Sequence, residues 1–160
     1  MYAHAVYKGL AKDMVWRLKF SGAQAAANEM ARLLARLLAR QLPQDERVMI
    51  VPVPTATSRA RMRGYDQAQL LARALSRQTG LAYTPCLRRM GQHHQVGANR
   101  QQRITQLQHA YRCTRPERLA GRHVVLVDDV LTTGATLEAA AGVVKAAGAQ
   151  RVSAVTFAQA

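Results

Sequence analysis

Two cysteines in 160 residues leave little room for a metal or disulfide framework. Cys86 and Cys113 stand far apart and neither belongs to a C-x-x-C pair, which excludes a zinc site of that pattern. Both read as buried or half-buried free thiols. Aromatic residues are also scarce, one Trp, two Phe and five Tyr. That argues against a binder that stacks single-stranded bases on several exposed rings. Tyr65 and Tyr111 are the nearest stacking candidates, and both read more readily as structural. No apolar run approaches the roughly 18 residues of a membrane span. The opening "MYAHAVYKGLAKD" lacks the basic start and apolar stretch of a signal peptide. A cytoplasmic protein is the expectation. Common nucleotide and metal motifs are missing too: no G-x-x-x-x-G-K-[ST], no G-x-G-x-x-G after a strand, no H-E-x-x-H. His93 and His94 are adjacent, and neighbours at i and i+1 do not face each other on a helix.

Acidic residues are the most telling shortage. Nine face 23 Lys and Arg, a formal net charge of +14. The balance favours a polyanionic partner, a nucleic acid or a phosphorylated small molecule, over the blander reading of a basic solvated surface. Between Arg59 and Arg122 the only acids are Asp66 and Glu117. Two of the nine acids nevertheless stand side by side, as Asp128 and Asp129.

What is present reads as one α/β domain over residues 1–160, with a mainly parallel sheet flanked by helices. Residues 7–20 place Leu10, Met14, Trp16 and Leu18 at partly helical spacing. Met30, Leu33, Leu34, Leu37 and Leu38 form a 3.6-period stripe, with Arg32, Arg36 and Arg40 on another face. "RVMIVPVP" is a buried strand that leaves through Pro52 and Pro54. "DQAQLLARALSRQTG" is a helix with Asp66 as N-cap and Gly80 as stop. "LAYTPCLRR" reads as a strand. The polar, basic stretch from Met90 to Cys113 reads as a long loop with some helix. "GRHVVLVDD" is a strand buried on both faces; "ATLEAAAGVVKAAGAQ" is a helix and "RVSAVTFA" the next strand.

The chemistry concentrates in "VVLVDDVLTTGATL". Ligands of open α/β sheets sit beyond the carboxyl ends of the strands, and this segment puts Asp128 and Asp129 at that edge. The loop after them enters a helix whose N-terminus offers unpaired N–H groups and partial positive charge to an anion. Thr132, Thr133 and Thr136 add hydroxyls, Gly134 permits close approach, and Ala135 adds little bulk. This suits a phosphate monoester. A carboxylate accepts two hydrogen bonds side by side, which suits vicinal hydroxyls. Phosphate plus two adjacent hydroxyls describes ribose 5-phosphate. The competing reading, acids that merely cap the helix, needs only one of them.

The segment resembles the signature of type I phosphoribosyltransferases, which bind 5-phosphoribosyl-1-diphosphate (PRPP). The resemblance implies Asp128 and Asp129 on the ribose hydroxyls, as candidate catalytic residues. It implies Thr132, Thr133, Gly134, Ala135 and Thr136 around the 5-phosphate, and Mg²⁺ accompanying PRPP. It narrows to the competence protein F (ComF) family through Pro52-Val53-Pro54, Arg63-Gly64-Tyr65 and Gln67, then Gln95, Arg103 and Tyr111, and Leu18-Lys19-Phe20. Asp66 and Gln106 stand where that family usually has Asn. Many members carry a Cys-rich zinc ribbon before this domain, and nothing here matches it: either this member lacks one or the chain starts after it. The family resemblance also implies a diphosphate loop at residues 54–58, including Pro54 and Thr55, and a mobile lid within residues 88–103. Arg59, Arg63 and Arg103 are the cationic candidates there. Natural transformation suggests DNA-uptake proteins as partners, and the basic surface suggests single-stranded DNA. Such a contact would rest on phosphates and weaken steeply with salt.

Overall fold

A computed structural model describes residues 2–20, 22–42, 47–55, 62–90 and 110–160. Its elements are β1 (Tyr2–Val6), α1 (Gly9–Phe20), α2 (Ala23–Gln41), β2 (Val48–Pro52), α3 (Gln67–Thr79), β3 (Ala82–Tyr83), β4 (Leu87–Arg89), β5 (Tyr111–Cys113), a 3₁₀ turn (Pro116–Arg118), β6 (His123–Leu131), α4 (Ala135–Ala146) and β7 (Arg151–Gln159). Five strands form one sheet in the order β1-β7-β6-β2-β3, with every neighbouring pair parallel. This is the α/β architecture expected from the alternating strands and helices.

Two apolar layers cover the sheet. On one face α1, α2 and α3 pack Val15, Leu18, Met30, Leu34, Leu71 and Leu75 against Val48, Ile50, Val125, Val127, Val155 and Phe157. On the other, Leu137, Ala140 and Val144 of α4 cover Met49, Val51, Val124, Leu126 and Ala154, joined by Cys86, Leu87 and Tyr111 from the small antiparallel β4–β5 sheet. The alternation of odd and even strand residues between the two layers is the period of two that a doubly covered strand requires. No helix among the described residues is long and apolar enough to cross a membrane.

Four elements depart from the sequence reading. The inward stripe of α1 is Ala11, Val15 and Leu18, while Leu10 is 82% and Trp16 55% exposed; at about 100° per residue Trp16 falls opposite Leu18 and Leu10 falls well off Val15, outside the stripe those three define. "LAYTPCLRR" is two strands in two sheets. Thr84 N–H makes the last bond to Ile50 O at 3.0 Å, and Pro85, with no N–H to give, follows it. β5 emerges at the end of the ambiguous basic stretch, most of which, residues 91–109, lies outside the described residues. β1, unassigned from sequence, is an edge strand that pairs only with β7 from the far end of the chain. Both helix ends expected of α3 are present: Asp66 Oδ1 accepts from Gln69 N at 3.0 Å, and Gly80, at φ 72, closes the helix in the left-handed region.

The topology itself selects a site. From β2 the chain leaves through α3 to β3 on one side; from β6 it leaves through α4 to β7 on the other, and the two helices lie on opposite faces. The connections therefore diverge at the carboxyl ends of β2 and β6, and a crevice there is where open α/β sheets take their ligands.

Candidate functional site

At that crevice β2 stops first. Pro52 is the last residue paired with β6, opposite Val127, and Val53 N–H donates to Val127 O at 2.9 Å. β6 continues to Leu131 alongside β7, with Asp128 opposite Thr156. Asp128 and Asp129 thus lie inside the strand rather than beyond it, past the last pairing with β2. Their own carboxylates serve the backbone there: Asp128 Oδ1 accepts from Asp129 N at 2.8 Å, and Asp129 Oδ1 from Val130 N at 3.0 Å.

The loop between β6 and α4 turns on a single glycine. Gly134 sits at φ 80, ψ −12 before the first turn of α4, and no side chain caps that helix. A Cβ at Gly134 would meet only Leu131 Cδ1, at 3.7 Å, so it is the left-handed backbone and not crowding that calls for glycine. Thr132 and Thr133 are exposed, while Gly134, Ala135 and Thr136 are half-buried. Thr133 Oγ1 receives Ala135 N–H only at the 3.5 Å limit.

Across the crevice, the exit of β2 is tied to the start of α3. Thr55 N–H donates to Asp66 Oδ2 at 2.8 Å, and Thr55 Oγ1 donates to the buried Gln67 Oε1 at 3.3 Å. Asp66 therefore accepts two backbone N–H groups, one per oxygen. Asparagine would present an NH₂ donor where one of these two oxygens now accepts, which gives the departure at this position a physical reason. Gln106 lies outside the described residues.

Three of the chain's nine acids meet here. Burial first, then the charges of Asp129 and Asp66, push the Asp128 carboxyl well above the usual range; the Asp129 N–H opposes this without reversing it. Tyr111 is raised by burial, with Asp128 and Asp66 adding to the rise and Arg89 working against it. A carboxyl raised in the folded state contributes stability below its ordinary pKa and loses that contribution as pH rises through the raised value. Asp128→Asn, which carries no charge, is therefore expected to melt above the parent chain at pH 7. The gap should close as the pH falls to about 4. Thermal denaturation across that range checks it; an equal or lower midpoint at pH 7 contradicts it.

Lys19 stands in the Leu18-Lys19-Phe20 motif, where the sequence alone assigns it no role. Its Nζ stands 3.0 Å from Asp129 Oδ2, with the side chains 28% and 15% exposed. That oxygen accepts no well-aligned hydrogen bond, so the contact is an ion pair. The neighbouring motif residues hold the end of α1 in place. Tyr65 OH donates to Leu18 O at 2.9 Å, and the Arg63 guanidinium lies 5.1 Å from the Phe20 ring centre. Arg63 Nε is buried with no hydrogen-bond partner among the described residues. Three separate motifs, around residues 18–20, 63–67 and 124–136, thus converge on one place.

The other candidates divide. Pro54 and Thr55 line the exit of β2, half-buried. Of the expected lid, Arg88 is exposed on β4 and Arg89 lies over Tyr111; Arg59 and Arg103 lie outside the described residues. Tyr65 and Tyr111 point inward, as expected. The exposed rings are instead Trp16 and Phe20, at 55% and 57%, with centroids 5.5 Å apart. Cys86 is buried and its thiol is pushed up to about 12 by burial and by Cys113, which makes it a poor nucleophile.

The chain is 30% identical over 135 residues to competence protein ComFC of Bacillus subtilis, covering 84% of this chain and 53% of that protein. It is 34% identical over 133 residues to DNA utilization protein YhgH of Salmonella typhi, covering 78% of this chain and 56% of that protein. The ComF resemblance is thereby borne out, and the chain spans about half the length of the curated relatives it matches. The fold superposes on a glutamine PRPP amidotransferase from B. subtilis with a TM-score of 0.57 at 15% identity, covering 88% of this chain and 30% of that one. The type I phosphoribosyltransferase-like fold is thus as expected. Residues 22–160 match the phosphoribosyl transferase domain, and the chain belongs to that family.

Proposed function

We propose that the chain binds PRPP with Mg²⁺ at the carboxyl edge of β2 and β6. It transfers the phosphoribosyl group to a nitrogenous acceptor and releases diphosphate, in the service of DNA uptake or utilization. The observation that carries this reading is Asp128 standing beside an uncapped, threonine-rich helix N-terminus where the sheet's connections diverge. The acid pair, Asp128 and Asp129, forms the ribose side of the site. Thr132, Thr133, Gly134, Ala135 and Thr136 surround the 5-phosphate, the backbone N–H groups of the first turn of α4 among their donors. Pro54, Thr55 and Arg63 are the described residues assigned to the diphosphate; Arg59 and Arg103, the other cationic candidates, lie outside the described residues. The names of the two relatives, a competence protein and a DNA utilization protein, supply the process.

Hard oxygen donors suit Mg²⁺, which characteristically arrives with phosphate ligands. Asp128, with Asp129 beside it on the strand, is the carboxylate that would help hold it with PRPP, and it would neutralise the leaving diphosphate. The protein's part is electrostatic positioning: positive charge develops at the anomeric carbon and negative charge on the leaving group. Diphosphate release from PRPP and Mg²⁺, measured with a panel of purines, pyrimidines and amines, tests the reading. Release that depends on one acceptor is the expected result. Tight PRPP binding with no turnover across the panel favours a second reading.

That second reading is a non-catalytic PRPP-sensing adaptor that contacts single-stranded DNA. The tilted ring pair Trp16 and Phe20, with Arg63 against Phe20 and the exposed Lys12 and Arg17 beside them on α1, is the kind of platform a single strand uses. Trp16 is the only tryptophan, so its fluorescence reports on that surface alone. Oligo(dT) is expected to quench it, with a steep dependence on salt. Fluorescence unchanged at low salt would remove the DNA contact.

A further inference from the structure

We infer that Lys19 is a positioning residue of the ribose–phosphate site, holding Asp129 on the α1 side so that Asp128 is the acid that meets the ribose hydroxyls. The inference rests on the PRPP reading and divides the acid pair that the sequence presents as equivalent. Successive strand residues point to opposite faces. Asp128 follows the parity of Val124 and Leu126, which pack under α4 and Tyr111; Asp129 follows Val125 and Val127, which pack under α1, α2 and α3.

Asp129 is committed on both oxygens, Oδ1 to Val130 N–H and Oδ2 to the Lys19 ammonium. On the other face Asp128 shares its surroundings with Tyr111 and Asp66, on the side of the loop that leads into α4. Lys19 is well anchored for its part. The carbonyl of Leu18 is held by Tyr65, and Phe20 packs against Arg63, so the ammonium is delivered by a braced helix end. Lys19 also lies before residue 22, where the match to the family domain begins. The segment ahead of that match thus completes the site.

Removing the ammonium leaves Asp129 half-buried without its counter-charge, next to Asp128, where an anionic ligand must bind. Titration calorimetry with PRPP and Mg²⁺ on the full chain tests the assignment. Lys19→Met is expected to weaken binding about tenfold, between the worth of an exposed ion pair and a buried one. Asp129→Asn should weaken it by a similar factor, and the double variant Lys19→Met with Asp129→Asn no further, because the two act as one unit. Lys19→Arg, which keeps the charge, should recover most of the affinity. Asp128→Asn should lose far more than any of these. Unchanged affinity in Lys19→Met, additive losses in the double variant, or equal losses for Asp128→Asn and Asp129→Asn would overturn the assignment while leaving the PRPP reading intact. No binding by the parent chain itself would overturn both.

Discussion

A chain carrying Asp128→Asn and Asp129→Asn together is expected to lose at least a hundredfold in affinity for PRPP. A hydrogen bond to a charged group contributes about 1.5–3 kcal/mol, and each 1.4 kcal/mol is a factor of ten. An asparagine keeps one acceptor oxygen and presents an NH₂ where the carboxylate offered a second acceptor, so a diol can no longer be gripped by both lone-pair sets. The backbone contacts survive the change, because an amide oxygen can still receive Asp129 N–H and Val130 N–H. Asp128→Asn alone should also melt above the parent chain at neutral pH. Loss of ligand together with a raised midpoint is a signature that misfolding cannot imitate. Titration calorimetry with Mg²⁺ present reads the affinity; a double variant that binds as the parent does contradicts the role given to the acids.

Phe157→Ala is expected to be the most damaging single core change, at about 3–5 kcal/mol. Phe157 is 1% exposed in β7, stacks on His4 at 5.5 Å between ring centres, and lies among the apolar side chains beneath α1 and α2. β7 alone pairs with β6 where the acids sit, so this side chain supports the floor of the site. The melting midpoint should fall by about 10 °C in a domain of this size. A loss below about 1 kcal/mol would mean that the layer under β7 is not packed as described.

The parts legible in the sequence were those written in neighbouring residues. Val124 to Val127 advertise a doubly covered strand because both faces demand apolar side chains. The leucines of α2 advertise a helix because their spacing is 3.6, and Asp66 and Gly80 bracket α3 by local capping chemistry. The loop from Thr132 to Thr136 is likewise read where it stands. What stayed hidden depends on distant segments. β1 is a strand only because β7 offers it an edge. β6 outruns the reading by two residues because β7 continues beside it after β2 has stopped. The phase of α1 is not legible because Leu10 and Trp16 are apolar yet exposed, and composition alone does not distinguish a surface side chain from a core one. Lys19 stands within a legible motif, but its partner Asp129 lies far along the chain, and no local pattern couples the two.

The central claim is that Asp128 and the loop from Thr132 to Thr136 form two halves of one ribose–phosphate receptor. A crystal structure of the chain with PRPP and Mg²⁺ tests it most directly. The account predicts the 5-phosphate against the N-terminus of α4, with the Thr132, Thr133 and Thr136 hydroxyls around it, and the ribose hydroxyls on Asp128. PRPP bound with its 5-phosphate away from that loop, or with its ribose hydroxyls out of reach of Asp128, would contradict it.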